Sequence, residues 1–231
     1  KSAQDARRAA MFTKYTRQII VAAKDGGDPE FNSSLRVAID KAKAIGMPND
    51  NINRAIKKGT GELAGESYDE LLFEGYGPSG VAVIVEALTD NKNRTAAFVR
   101  STFDKNGGNL GTPGCVSYMF SRKGVIFIEK NNNLDEDTVM MEALEAGAED
   151  MIVNQDNFEV RTEATDYHTV LDALKSAGYE IAESEVEFIP SMESKVDDEA
   201  TIKSLHKLID TLDDNDDVQR VSYNCDLPEI E

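Results

Sequence analysis

The 231-residue chain is 40% apolar and carries 25 Lys and Arg against 43 Asp and Glu, a formal net charge of −18. That size allows two or three small cored units, while the absence of any run of about 18 apolar residues and the charged start at Lys1 argue against a membrane span or a secretory signal peptide. Two cysteines, Cys115 and Cys225, fit free thiols in a reducing cytoplasm better than a disulfide scaffold.

Residues 2–24 contain neither proline nor glycine. Met11, Phe12, Tyr15, Ile19, Ala22 and Ala23 fall on one side of a helix at 100° per residue, and Arg7, Lys14, Arg17 and Lys24 fall in an arc of roughly 100° on the other. The expected element is an amphipathic basic helix, with Arg8 the exception on the apolar side. Gly26, Gly27 and Pro29 end it. Asn32 or Ser33 can cap a second helix whose stripe is Leu35, Ala38, Ile39, Ala42 and Ile45, stopped by Gly46. Pro48 and Asn49 open a third, through Ile52, Ala55 and Ile56 to Gly59, with Arg54, Lys57 and Lys58 as its cations.

Beyond a polar linker the period changes. Tyr68 to Gly75 and Val81 to Leu88 read as strands around a turn, Asn91 to Lys105 as a helix, Gly107 to Gly114 as a loop, and Val116 to Phe120 as a strand. Arg122-Lys123-Gly124 reads as a turn into a strand from Val125 to Glu129. The order from that strand to Ile189 is β-α-β-β-α-β, a split βαβ arrangement. A last helix, Ala200 to Leu212, and a last strand, Val218 to Tyr223, cannot form a domain alone and are expected to return to the sheet begun at Tyr68. The predicted class is α+β: a helical basic domain over 1–60, a discontinuous α/β domain over 67–122 and 191–231, and an inserted ferredoxin-like domain over 123–190.

Charge follows this division. Residues 1–60 hold 12 Lys and Arg against 6 Asp and Glu, and the other 171 residues hold 13 against 37. An acidic body ordinarily repels phosphate, so a positive excess confined to one end suggests a polyanion contact at that end.

Motifs for catalysis are absent. Gly75-Tyr76-Gly77-Pro78-Ser79-Gly80 satisfies a dinucleotide-binding pattern, but a β-branched strand follows where a helix is required, so a hairpin turn is the better reading. The glycine-rich stretch from Asn106 to Gly111 lacks the Gly-Lys-Ser/Thr of a phosphate loop. His168 and His206 have no companion ligands at short spacing, and the Asp213–Asp217 run lacks the glycine and the Glu of a calcium loop. Asp90 or Asn91 can cap the helix that follows; Lys92 and Arg94 beside them are secondary candidates for phosphate. No cofactor, metal or small-molecule substrate is expected, and no enzyme.

Several stretches carry a resemblance: Glu74-Gly75-Tyr76-Gly77-Pro78-Ser79-Gly80-Val81-Ala82, Leu88-Thr89-Asp90-Asn91-Lys92-Asn93-Arg94-Thr95 and Asn106-Gly107-Gly108-Asn109-Leu110. With Ala3-Gln4-Asp5-Ala6, Phe12-Thr13-Lys14, Gly26-Gly27-Asp28-Pro29, Met47-Pro48, Phe120, Lys123-Gly124-Val125-Ile126 and Asp216-Asp217-Val218, they make the chain strongly similar to the YebC family across nearly its whole length. That family includes bacterial probable transcriptional regulators and a mitochondrial translational activator. Its usual basic leader, ahead of Lys1, would extend the basic module. Ser79 stands where the family commonly has glycine.

The resemblance implies a helical N-terminal domain, two α/β domains and a role in gene expression, either as a DNA-binding transcriptional regulator or as a ribosome-associated translation factor contacting RNA. Together with the charge pattern it makes a non-enzymatic regulator that binds nucleic acid through Arg7, Arg8, Lys14, Arg17, Arg54, Lys57 and Lys58 the leading expectation. Lys92 and Arg94 are secondary. The competing class is a protein-interaction adaptor that works through its acidic surface.

Overall fold

In the computed structural model, which describes residues 2–230, the chain forms two compact units. One runs up to Met119 and resumes at Met192; the other is Phe120–Ser191.

The first unit begins with three helices, α1 (Ser2–Ala23), α2 (Ser33–Ala44) and α3 (Asn49–Thr60). They enclose a small core of Ile19, Ile20, Ala23, Leu35, Ala38, Ile39, Ala42, Met47, Ile52 and Ala55, bordered by Phe12, Tyr15 and Ile56. Asn32 organises the first turn between helices: its Oδ1 accepts from Leu35 N at 3.1 Å as the α2 cap, and its Nδ2 donates to Ala22 O at 2.8 Å and Gly26 O at 2.9 Å. α3 continues one residue beyond Gly59 and ends on Gly61 in the left-handed conformation, φ 87°.

The same unit holds an antiparallel sheet of β1 (Asp69–Tyr76), β2 (Ala82–Thr89), β3 (Asn109–Leu110) and β8 (Val218–Tyr223), in the order β3-β1-β2-β8. β1 and β2 pair from Asp69↔Thr89 to Tyr76↔Ala82, so the glycine-rich 75–80 segment is the hairpin connection. Helices α4 (Lys92–Lys105) and α7 (Glu199–Asp213) supply Val99, Phe103, Leu205, Leu208 and Leu212 to a core with Val81, Val83, Val85 and Val218. The second glycine run also has a structural purpose. A Cβ on Gly108 would lie 2.3 Å from Tyr76 O, so its bare backbone lets the 106–111 segment approach β1 closely enough for β3 to pair.

The second unit has β4 (Phe120–Glu129), α5 (Glu136–Ala146), β5 (Asp150–Val153), β6 (Asn157–Glu163), α6 (Tyr167–Ser176) and β7 (Ile181–Pro190). Its sheet is antiparallel in the order β5-β6-β4-β7, the topology of a ferredoxin-like fold. One expectation changes here. Arg122-Lys123-Gly124 is not a turn but the middle of β4, which pairs with β6 from Lys123 and with β7 from Phe120, while the expected strand at 116–120 is a single 3-10 turn, Ser117–Met119, followed directly by β4. Gly124 is buried opposite Thr162, and a Cβ there would lie 2.3 Å from Thr162 Oγ1 and 3.0 Å from Tyr167. The glycine answers to side-chain crowding within a sheet, not to a reversal of the chain.

Candidate nucleic-acid interface

The basic face of α1 divides into two parts. Residues 2–9 are all exposed, and Arg7 makes no ion pair with any described residue. Arg8 lies with its guanidinium 5.3 Å from the Phe12 ring centroid and close to Gly46, where a Cβ would come within 2.9 Å of its Nη2. Its apolar-side position on the helix is thus satisfied by stacking, with the charge left outward.

Farther along, the helix turns inward, to the sheet and the end of α7. Lys14 Nζ donates to Asp213 O at 3.0 Å, Gln18 Nε2 to Gln219 Oε1 at 2.8 Å, and Lys24 Nζ to Tyr68 O at 2.8 Å. Arg17 donates to Leu88 O and to Asp217 Oδ1, both at 2.8 Å, with its guanidinium 4.8 Å from the Tyr68 ring centroid. Its side chain is 12% exposed and that of Asp217 is 5% exposed. Arg17 and Lys14, expected to face phosphate, instead fasten α1 inward, Arg17 to Leu88 of β2 and to Asp217 beside β8, Lys14 to the C-terminal end of α7. A helical arc lists which side chains share a side; it does not say what the side meets.

Arg94 is likewise occupied. Its Nε and Nη2 donate to Asp217 Oδ2 and Oδ1 at 3.0 and 2.7 Å, a two-pronged pair, and Nη2 also reaches Asp90 Oδ1 at 2.7 Å. Asn91 caps α4, its Oδ1 accepting from Arg94 N at 3.0 Å. Lys92 stays exposed, with Asp69 3.9 Å away.

Asp217 is therefore the centre of a polar cluster that also takes a hydrogen bond from Thr95 Oγ1 at 2.9 Å. Burial alone would raise its carboxyl, but the hydrogen bonds from Arg94, Arg17 and Thr95 outweigh that and hold it below the usual carboxylate range. Among 43 carboxylates nothing in its sequence neighbourhood marks it, and the 213–217 run reads as a plain charged turn.

Glu74 is a second residue missed by sequence reasoning. It is 5% exposed, and its carboxylate accepts from the backbone N–H groups of Gly114, Val116 and Ser117 at 2.6, 3.2 and 2.6 Å. Burial again opposes the charge, and these donors again prevail, leaving its carboxyl lowered. It pins the 111–117 segment to β1.

Further cations of the helical module are not consumed within the fold, though Arg100 and Lys105 on α4 and Lys207 on α7 are exposed as well. Arg54 and Lys57 are exposed and Lys58 half-buried on α3, and none of the three makes an ion pair with a described residue. Lys43, at the end of α2, joins them: it is exposed, equally without an ion pair, and lines a depression of about 610 Å³ together with Lys57. No group of three or more His, Cys, Asp or Glu among the described residues could hold a metal ion. No described helix is long and apolar enough to cross a membrane.

Comparison with known proteins covers the chain almost completely. Residues 1–62 match a model described as the TACO1/YebC protein N-terminal domain, and residues 68–225 one described as the TACO1/YebC second and third domain. A probable transcriptional regulatory protein of Clostridioides difficile is 54% identical over 228 residues, covering 98% of this chain and 95% of that protein. One of Persephonella marina is 54% identical over 229 residues, covering 98% and 91%. Among solved structures, the conserved hypothetical protein Aq1575 from Aquifex aeolicus is 44% identical, with a TM-score of 0.88 over 98% of this chain and 93% of that one.

Proposed function

The chain belongs to the TACO1/YebC family, and from that membership and its exposed cations we propose that it is a non-enzymatic regulator of gene expression that binds nucleic acid through its helical module. The carrying observation is the set of exposed Arg7, Arg8, Arg54 and Lys57, with the half-buried Lys58 beside them, on one module of a chain whose net charge is −18. Lys92 is a peripheral contact. Lys14, Arg17 and Arg94 are left out because each is hydrogen-bonded to another part of the fold. Curated relatives named probable transcriptional regulatory proteins support the regulatory role.

Contacts of this kind place the protein on phosphates and read little sequence. An acidic remainder limits binding elsewhere on the surface. Reversing Arg7, Arg54, Lys57 and Lys58 to Glu in the full chain should lower affinity for nucleic acid by at least about a hundredfold, and should flatten the dependence of log affinity on log salt by about 0.7–0.9 per lost contact. Association that is unchanged and insensitive to salt would overturn the reading. Crosslinking in cells followed by sequencing of the bound nucleic acid separates promoter DNA from ribosomal RNA as the target.

A further inference from the structure

Phe31 is 88% exposed, whereas each of the other eight phenylalanines is buried or half-buried. Leaving such a ring in water forgoes the stabilisation that burial would bring. Nor does it sit on a loose loop. It closes the 3-10 turn Pro29–Phe31, where Asp28 Oδ1 accepts from Glu30 N at 3.0 Å and Phe31 N donates to Asp28 O at 3.1 Å. The next residue, Asn32, is the side chain tied to Ala22, Gly26 and Leu35. The backbone of the turn is held from both sides, and it presents the ring to solvent.

Pro29, at the start of that turn, lines the depression of about 610 Å³ between the helices of the module. Its apolar lining includes Ile39 and Ile56, its amides are Asn49 and Asn53, and its ammonium groups are Lys43 and Lys57. Glu62 is the single carboxylate, so cations outnumber anions two to one. A second depression, of about 360 Å³, shares Pro29, Ile39 and Lys43, but there Glu30 and Asp40 balance Lys43 and Arg36. The first is the anion-tolerant one.

We propose that Phe31 and this depression form a site for unpaired nucleotides: one base stacks on the Phe31 ring, the neighbouring base enters the depression against Ile39 and Ile56 with its edge at Asn49 and Asn53, and the phosphates lie on Lys43 and Lys57. An exposed aromatic ring carried on the same turn as Pro29, which lines the cationic depression, suits unstacked bases, because every base has a face to stack and a paired base hides it. Duplex has no free base face to offer the ring. The inference rests on the nucleic-acid reading above and narrows it to single-stranded segments.

The test uses the full chain with a labelled single-stranded RNA, a single-stranded DNA and a duplex of the same sequence, followed by fluorescence anisotropy. Phe31→Ala should weaken single-strand binding roughly five- to hundredfold, the range of one lost base stack, and leave duplex binding unchanged. Phe31→Trp should restore it. Lys43→Ala with Lys57→Ala should weaken both and lower the salt slope. Thermal melting of each variant checks folding, which the exposure of all three side chains should preserve. Comparing the RNA and DNA arms identifies the strand type. If Phe31→Ala leaves single-strand binding intact while the lysine variant weakens it, the stacking site is overturned and the broader reading stands. If the unmodified chain binds none of the three, both fall.

Discussion

At the scale of single residues, Asp217 ties two helices of the first unit together. It is nearly inaccessible to water, and three side chains from two helices converge on it. Removing one member of a buried ion pair leaves the other charge without compensation, at a cost of about 3–5 kcal/mol. Asp217→Ala should therefore lower unfolding free energy by roughly that much in urea titrations. Arg94→Ala should cost less, about 1–2 kcal/mol, because its side chain is 48% exposed and water can replace part of the pair.

Acid sensitivity follows from the same residues. Asp217 and Glu74 both have lowered folded-state values, so each contributes stability that is complete above its unfolded value, near 4, and disappears as pH falls through the lower folded value. The urea midpoint should be flat from about pH 7 to 5 and fall below about pH 4. A variant carrying Asp217→Asn and Glu74→Gln should begin less stable and lose little more on acidification. If it retained the full acid-induced drop, these two carboxylates would not be its source.

At the scale of elements, α1 and β4 show where periodicity suffices and where it does not. The apolar side of α1, from Phe12 through Tyr15 and Ile19 to Ala23, is readable at 100° per residue because a core-facing stripe has one physical explanation, burial. A cationic stripe has at least three: water, phosphate or an internal carboxylate. Arg7 and Arg17 lie in one arc, yet Arg7 is exposed while Arg17 reaches across 200 positions of sequence to Asp217. No local pattern distinguishes them.

Gly124 makes the same point in a strand. Local chemistry reads Arg-Lys-Gly as a turn, whereas the bare Cα is required by Thr162 and Tyr167, side chains about 40 residues away. Gly124→Ala should therefore destabilise by overpacking, by about 1–3 kcal/mol, measured by denaturant titration. A glycine needed only for a turn in open solvent would show a smaller effect.

At the scale of the whole molecule, charge is segregated along with the fold. Residues 120–191 contain 5 Lys and Arg against 17 Asp and Glu. This unit has its own four-stranded sheet and two helices, with Val125, Ile126, Ile128, Val139, Val160, Val170, Leu171 and Leu174 buried. Expressed alone, residues 120–191 should unfold cooperatively in circular dichroism and show no detectable nucleic-acid binding at physiological salt. Binding by this segment equal to that of the full chain would contradict the assignment of contact to the helical module.

The amino-acid sequence by itself determined the family, the α+β class, the β-α-β-β-α-β order and the hairpin reading of the 75–80 glycines. Each of these depends on short-range rules, on caps, periods and turn residues, or on motifs strung along the chain. Only the tertiary structure decided which cations are exposed and which are paired inside. Ion pairs such as Arg17–Asp217–Arg94 join residues that are distant in sequence, and their partners are chosen by which surfaces the hydrophobic cores bring together. Exposure, too, is a property of the assembled fold, and it is what distinguishes Phe31 from the other eight phenylalanines.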